Sequence, residues 1–272
     1  PQTLRAVFRS NQKALYSLLM RTASDALIQL ADDPKHLGAR VGILAVLHTW
    51  GSNLSYHPHV HLLVTGGGVD QQGQWVPCKN KYLVPVKALS KLIRGKLAAR
   101  LKKGYPDLHQ QVTADAWIKD WVVHSIHYPQ GSKAVLNYLG RYVFRIAITN
   151  NRILSMDDTH VTFKYKDRQA GKWKILKLTG CEFIRRYLQH VLPKGFHKVR
   201  YYGLWHPSNR HYVKKMICSL AVAEEMPEPP STPRAQESTD QKAQDQPLKC
   251  PHCGSEQLQL MQTLPRPRAR SP

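Results

Sequence analysis

His57-Pro58-His59-Val60-His61, followed by the apolar run Leu62-Leu63-Val64, decides how the rest of the chain is read. In an extended strand alternate side chains share a face, so His59 and His61 project side by side while Val60 points into the core. Two imidazoles on one face can grip one divalent cation, although histidine-rich strands also occur as plain surface features and this chain has 14 histidines. Pro58 lacks an N–H, which suits the first residue or the edge of a strand and marks where this one begins. Gly66-Gly67-Gly68 then ends it.

Upstream, Val41 to Trp50 reads as a buried strand, and Gly51-Ser52-Asn53 as the turn that folds it back on the histidine strand. In a register that sets Trp50 against His57, His48 falls opposite His59 on the same face and becomes the third-ligand candidate. A slip of one residue would turn it to the other side. Before this hairpin, Ser10 can cap a helix carrying Leu15, Leu18, Leu19, Ala23, Ala26, Leu27 and Leu30, which ends near Asp32 and covers one face of the sheet.

Forty Lys and Arg against 18 Asp and Glu give a formal charge of +22. An excess spread over the folded part calls for a polyanion, with nucleic acid favoured over a membrane surface. No apolar run approaches the ~18 residues of a transmembrane helix. Five cysteines, odd in number and mostly scattered at Cys78, Cys181 and Cys218, do not form a disulfide framework, so a reducing, intracellular compartment is expected. The chain opens at Pro1 without an initiator Met or a signal peptide, as a fragment or processed chain would.

Three segments are expected: a catalytic domain over residues 1–225, a Pro/Glu/Gln/Ser-rich disordered linker over 226–249, and a tail over 250–272 that carries one Cys-x-x-Cys knuckle, Cys250 and Cys253, and a basic end. A zinc ribbon needs two knuckles, so zinc here would require ligands from elsewhere.

Within the first segment, Val86 to Lys103 reads as an amphipathic basic helix, either solvated or tracking phosphates. Tyr82-Leu83-Val84 and Trp121 to His127 read as strands, the latter with reserve ligands His124 and His127. A helix from about residue 131 carries Tyr138 and Tyr142 at i and i+4 on one face, the spacing of a packing pair as much as of a reactive one. It feeds a strand Arg145–Thr149, a turn at Asn150-Asn151, and strands at 152–154, 161–165 and 173–178. A helix over 181–192 with Phe183, Ile184, Tyr187 and Val191 inward, a strand over 197–202 and a basic helix from about Ser208 to Glu225 complete this part.

A paired-histidine strand, a helix with two tyrosines and a strongly basic surface suit one reaction: metal-assisted attack of a phenolate on a DNA phosphodiester. Arg141 and Arg145, beside the tyrosines, would favour the phenolate. Lys164, Lys166, Arg185 and Arg186 are further DNA-binding candidates. Two rivals stand beside this reading, a non-catalytic single-stranded DNA-binding protein and a hydrolytic nuclease that leaves no adduct.

His48-Thr49-Trp50-Gly51, the histidine stretch with its glycines, Tyr138-Leu139-Gly140-Arg141-Tyr142 with Arg145-Ile146-Ala147-Ile148, Lys164-Tyr165-Lys166-Asp167 and Glu182-Phe183-Ile184-Arg185-Arg186 together resemble the rolling-circle transposases of bacterial insertion sequences. These are the two-tyrosine members of the HUH endonuclease superfamily, and the resemblance runs over roughly residues 4–220 in the same order. It implies an α+β fold in which an antiparallel sheet carries the metal site and is backed by helices, one of them bearing the catalytic tyrosines. It implies a DNA transposase that cuts one strand at an element's end through a 5′-phosphotyrosine, working in the bacterial cytoplasm at the nucleoid. Its expected partners are single-stranded DNA at transposon ends and the host replication machinery. Residue by residue, the metal-binding pair falls on His59 and His61 and the nucleophiles on Tyr138 and Tyr142, with magnesium or manganese as the ion. Such transposases carry an upstream cysteine-rich zinc module, before the place where this chain begins. The alternative is an inactive, truncated remnant that still binds single-stranded DNA.

Overall fold

Strand β1 (Gly42–Trp50) is the middle of a three-stranded antiparallel sheet, flanked by β2 (Tyr56–Val64) and β8 (Val199–Gly203). The computed structural model describes residues 1–78, 83–127, 135, 137–167, 170–214 and 216–217. The chain divides into Pro1–Glu224 and Glu225–Pro272, and the described residues all belong to the first part. The linker over 226–249 and the Cys250–Cys253 knuckle lie outside them.

Eight of the nine β1 residues are buried, because the strand is covered on both faces. Ile43, Ala45 and Leu47 meet one apolar layer together with Val60, Leu62 and Val64 of β2. That layer comes from α1 (Leu4–Ser10), α2 (Gln12–Asp32) and α3 (Val86–Gly104), through Leu15, Tyr16, Met20, Ala26, Ile93 and Leu97. Leu44 and Val46 point the other way, onto Tyr138. At a pleat period of two, His48 of β1 and His59 and His61 of β2 must share this second face.

Ser10 ends α1 rather than capping α2: its hydroxyl donates back to the Ala6 carbonyl at 3.1 Å, and Asn11 stands at the start of α2. The basic helix α3 forms as read. Two of its arginines serve the fold, Arg100 on Asp25 at 2.6 Å and Arg94 on the carbonyls of Ile118 and Lys119. Two short helices, α4 (Pro106–Gln110) and α5 (Asp115–Ile118), follow it. Gly67–Val69 (β3) and Trp75–Pro77 (β4) make a small hairpin, so two of the three glycines after β2 start a new strand instead of only closing the old one.

A second core lies under a meander of β5 (Ile153–Met156), β6 (His160–Lys166) and β7 (Trp173–Thr179), and is built on Phe163, Leu178, Ala147 and Ile148. Arg145–Thr149 is not a strand: Ala147 and Ile148 both bury themselves in this core, where strand alternation would have exposed one. Trp121–His127 is likewise irregular. Its Trp121 Nε1 donates to the Ala116 carbonyl, and the Ser90 hydroxyl donates to the Trp121 carbonyl. Neither Leu83 nor Val84 is in a strand, and Tyr82 lies outside the described residues. Helix α6 (Gly180–Leu188) is capped by Thr179 and ends four residues before the expected limit of 192. Only Phe183 of its four apolar positions turns inward, for Ile184, Tyr187 and Val191 are exposed. Among the described residues no helix is long and apolar enough to cross a membrane.

Candidate metal and tyrosine centre

The register of the central hairpin sets His48 opposite His59 and Val46 opposite His61. The ladder then shifts, with Trp50 opposite Tyr56 rather than His57. Two residues, His57 and Pro58, thus oppose Thr49 alone, in the manner of a β-bulge. Proline fits there because a bulged residue on an edge strand has no ladder hydrogen bond to donate. The strand accordingly starts at Tyr56, before the proline.

One ring nitrogen from each of His48, His59 and His61 lies within 4.8 Å of the others. Backbone carbonyls constrain the tautomers of two of them. His59 Nδ1 donates to the His57 carbonyl at 2.7 Å, leaving its lone pair on Nε2. His48 Nε2 donates to the Tyr142 carbonyl at 2.7 Å, leaving its lone pair on Nδ1. Burial pulls the His48 imidazole down to about 4, and the positive Arg145 and Lys198 act in the same direction against the Tyr142 hydrogen bond. A neutral ring is the form that binds a metal. Trp50 stacks on His48 with ring centres 4.6 Å apart and planes 19° apart. Three converging imidazoles, two of them oriented by backbone carbonyls, are a fitting donor set for one divalent cation.

Both tyrosines come to this face. Tyr138 and its described neighbours Val135 and Asn137 are helical, and a π turn over Leu139–Val143 follows, closed by Phe144 N–H on the Leu139 carbonyl at 3.2 Å. Tyr142 lies with its ring centre 4.3 Å from that of His61. Tyr138 stands behind it, 4.7 Å from the Tyr142 ring and buried on Leu44 and Val46. Gly140 is exposed, and a Cβ there would meet nothing within 4 Å, so this glycine does not serve close packing. The reserve candidates His124 and His127 are not in the cluster.

The DNA-binding candidates separate into three places. Arg141 and Arg145 are exposed beside the tyrosines. Lys164 and Lys166 lie on the outer face of the meander, where Lys166 pairs with Trp173 and Lys164 Nζ sits 5.9 Å from the centre of that exposed indole. Arg185 and Arg186 are both held by Glu182, whose carboxyl those two hydrogen bonds draw down to about 2.

Arg152 and His190, which the sequence did not single out, fix the β1–β2 turn together with Arg186. Its carbonyls at Ser52, Asn53 and Leu54 accept from Arg152, from Arg186 at 3.4 Å and from His190 at 3.2 Å respectively. Leu54 adopts φ +62° and is fully buried in the second core. His190 is also buried, and its Nδ1 accepts from the Thr49 hydroxyl at 3.3 Å, next to His48. Short-range spacing carries no trace of these links, which join positions about a hundred residues apart or more.

The hairpin with its histidine cluster and the tyrosine turn that faces it lie inside the region matched by a protein-family model described as "Putative transposase", residues 42–212, and the chain belongs to that family. It is 37% identical over 280 residues to "Putative transposase y4qJ" of Sinorhizobium fredii, covering 95% of this chain and 70% of that protein. It is 30% identical over 272 residues to "Transposase for insertion sequence element IS801" of Pseudomonas savastanoi pv. phaseolicola, covering 94% of this chain and 64% of that protein. No solved structure matches the chain.

Proposed function

We propose that this protein is a rolling-circle insertion-sequence transposase of the two-tyrosine HUH type, which cuts and transfers single-stranded DNA at transposon ends through a 5′-phosphotyrosine. The observation that carries the reading is the approach of the Tyr142 ring to His61, one of three imidazoles able to hold a single cation. His48, His59 and His61 would hold the ion. When bound, it would act as a Lewis acid on a non-bridging phosphate oxygen. Magnesium and manganese are the expected ions, with zinc a competitor for an all-imidazole donor set.

In the first step the Tyr142 hydroxyl oxygen bonds to phosphorus and the bond from phosphorus to the 3′ oxygen breaks. The phenolic proton is lost to solvent and the departing 3′ oxygen takes one up, so the products are a 5′-phosphotyrosine and a 3′-hydroxyl. Arg145, whose charge is felt at His48, favours the phenolate and the phosphate together. Tyr138 is the second nucleophile, released when the turn around Gly140 opens. Rejoining by attack of a 3′-hydroxyl on the adduct transfers the strand, with host replication supplying the new copy. The place of work is the bacterial cytoplasm at the nucleoid.

Burial of Tyr138 favours one second reading, in which Tyr142 is the sole nucleophile and Tyr138 packs the sheet. The protein should be incubated with manganese and a single-stranded oligonucleotide bearing an element end, denatured, and its adduct mapped by mass spectrometry. Adducts on Tyr142 in the wild type and on Tyr138 in Tyr142→Phe support alternation. Loss of all adduct in Tyr142→Phe leaves the single-tyrosine reading, and cleavage without any adduct hands the case to a hydrolytic nuclease. His59→Ala and His61→Ala should abolish the adduct while single-stranded DNA is still bound, and a full yield in excess chelator would sink the metal assignment.

A further inference from the structure

An arginine-lined cleft of about 440 Å³ opens beside the histidine hairpin, where three distant parts of the chain meet. Helix α1 contributes Arg5 and Arg9, one turn apart on one face. The β1–β2 turn contributes Asn53 to Tyr56, and α6 with the residue after it contributes Arg185, Arg186 and Gln189. Among the described residues, no carboxylate lines it. A guanidinium stays charged at any working pH, so four in one cleft repel one another unless an anion lies among them. Glu182, behind the cleft, meets only Arg185 and Arg186. Bidentate on Arg185 and bonded to Arg186 Nε, it does not use all five N–H groups of either, and one of those of Arg186 goes to the Asn53 carbonyl at 3.4 Å. Arg9 is fixed over the Tyr56 ring at 5.1 Å, and Arg5 Nη2 donates to His57 Nδ1 at 3.2 Å. That last bond places the cleft's edge two residues along β2 from His59.

We infer that this cleft binds backbone phosphate of the same single-stranded DNA, on the stretch flanking the phosphodiester held at the histidines. The inference rests on the proposed DNA reaction for the identity of the strand, and on the cleft's own chemistry for phosphate. Forked guanidinium donors match phosphate oxygens in pairs, and the side-chain amides of Gln2 and Asn53 add neutral donors that suit a sugar–phosphate chain. Arg5 and Arg9 thus join Arg185 and Arg186 as groups that position the strand without reading its bases.

Binding is best measured in chelator, by fluorescence anisotropy of a labelled single-stranded oligonucleotide at several salt concentrations, so that the result does not depend on cleavage. The double variant Arg5→Gln/Arg9→Gln should bind about tenfold or more weakly, and its log affinity should fall less steeply with log salt, by roughly 0.7 for each phosphate that the variant no longer neutralises. Gln189→Glu is a second variant, which places a carboxylate among the arginines. It should weaken DNA binding by a margin that shrinks as salt rises, a salt dependence that the lost Gln189 donation to the Arg185 carbonyl at 3.2 Å would not by itself produce. Wild-type affinity and slope in both variants would overturn the assignment, as would a mononucleotide that competes as well, per phosphate, as the oligonucleotide. A changed slope without any phosphotyrosine adduct in the parallel cleavage assay would keep the cleft and remove the catalytic reading.

Discussion

Acid should destabilise the metal-free protein through His48, and the size of the effect follows from where that ring sits. The folded chain keeps His48 neutral down to about 4, because burial opposes its charge. The unfolded chain takes up the proton near the ordinary value of 6.5. Below that value the unfolded state binds more protons, so stability is fully present above about pH 6.5 and is lost as the pH falls toward 4. At about 1.4 kcal/mol per pKa unit the loss is on the order of 3 kcal/mol, a large share of a typical domain's stability. Urea denaturation in chelator at a series of pH values measures it directly. His190, also buried and shifted down by burial, adds to the slope, so the informative quantity is the difference from His48→Gln, whose amide can still donate to the Tyr142 carbonyl. The wild type should lose stability faster than His48→Gln between pH 6.5 and 4. Parallel curves would refute the argument that the fold imposes a neutral His48.

Arg152→Met removes donors from the carbonyls of Ser52, Ala147 and Lys164 at once and should cost roughly 3 kcal/mol in urea unfolding; a loss below ~1 kcal/mol would mean that water replaces the guanidinium freely. Gly203→Ala should destabilise by at least ~2 kcal/mol, because Gly203 has φ +61° and an added Cβ would collide with the Val41 carbonyl oxygen; an unchanged melting temperature would contradict that geometry. Gly140→Ala should instead stabilise by up to ~1 kcal/mol, since a helical glycine in open space carries only its entropic cost, and a lowered melting temperature would show that the turn needs this glycine.

The hairpin was legible because three local signals agreed: a buried apolar run, a polar turn and an alternating strand. Together they define the hairpin and offer a register with His48 across from His59, the one that the structure adopts, while a slip of one residue stays open on local signals alone. The bulge that breaks the ladder beyond that pair was not legible, since Pro58 suits a strand start as well as a bulge. Arg145–Thr149 looked like a strand because Ile146 and Ile148 alternate, yet only tertiary packing decides that Ala147 is buried and Ile146 exposed. In α6 the apolar positions were right for a buried face, but the helix uses Phe183 alone against the meander. Tyr138 and Tyr142 were found by spacing and resemblance. Which of them meets the imidazoles depends on the second face of β1, which spacing cannot report. His190 and the arginine cleft were out of reach for the same reason: each joins segments that only the fold brings together.

The shift in pairing after His48 has an evolutionary side. Because His57 and Pro58 take up the extra residue on the turn side of the histidine pair, a change of turn length can be absorbed there without moving His48, His59 or His61 out of step. The loop from Gly51 to Ser55, which contributes part of the arginine cleft's wall, is itself pinned by Arg152, Arg186 and His190, so a change in it is felt by those segments rather than by the histidine pair. The hairpin thus separates a turn held by distant segments from a histidine cluster held by strand register, on strands directly joined in the chain.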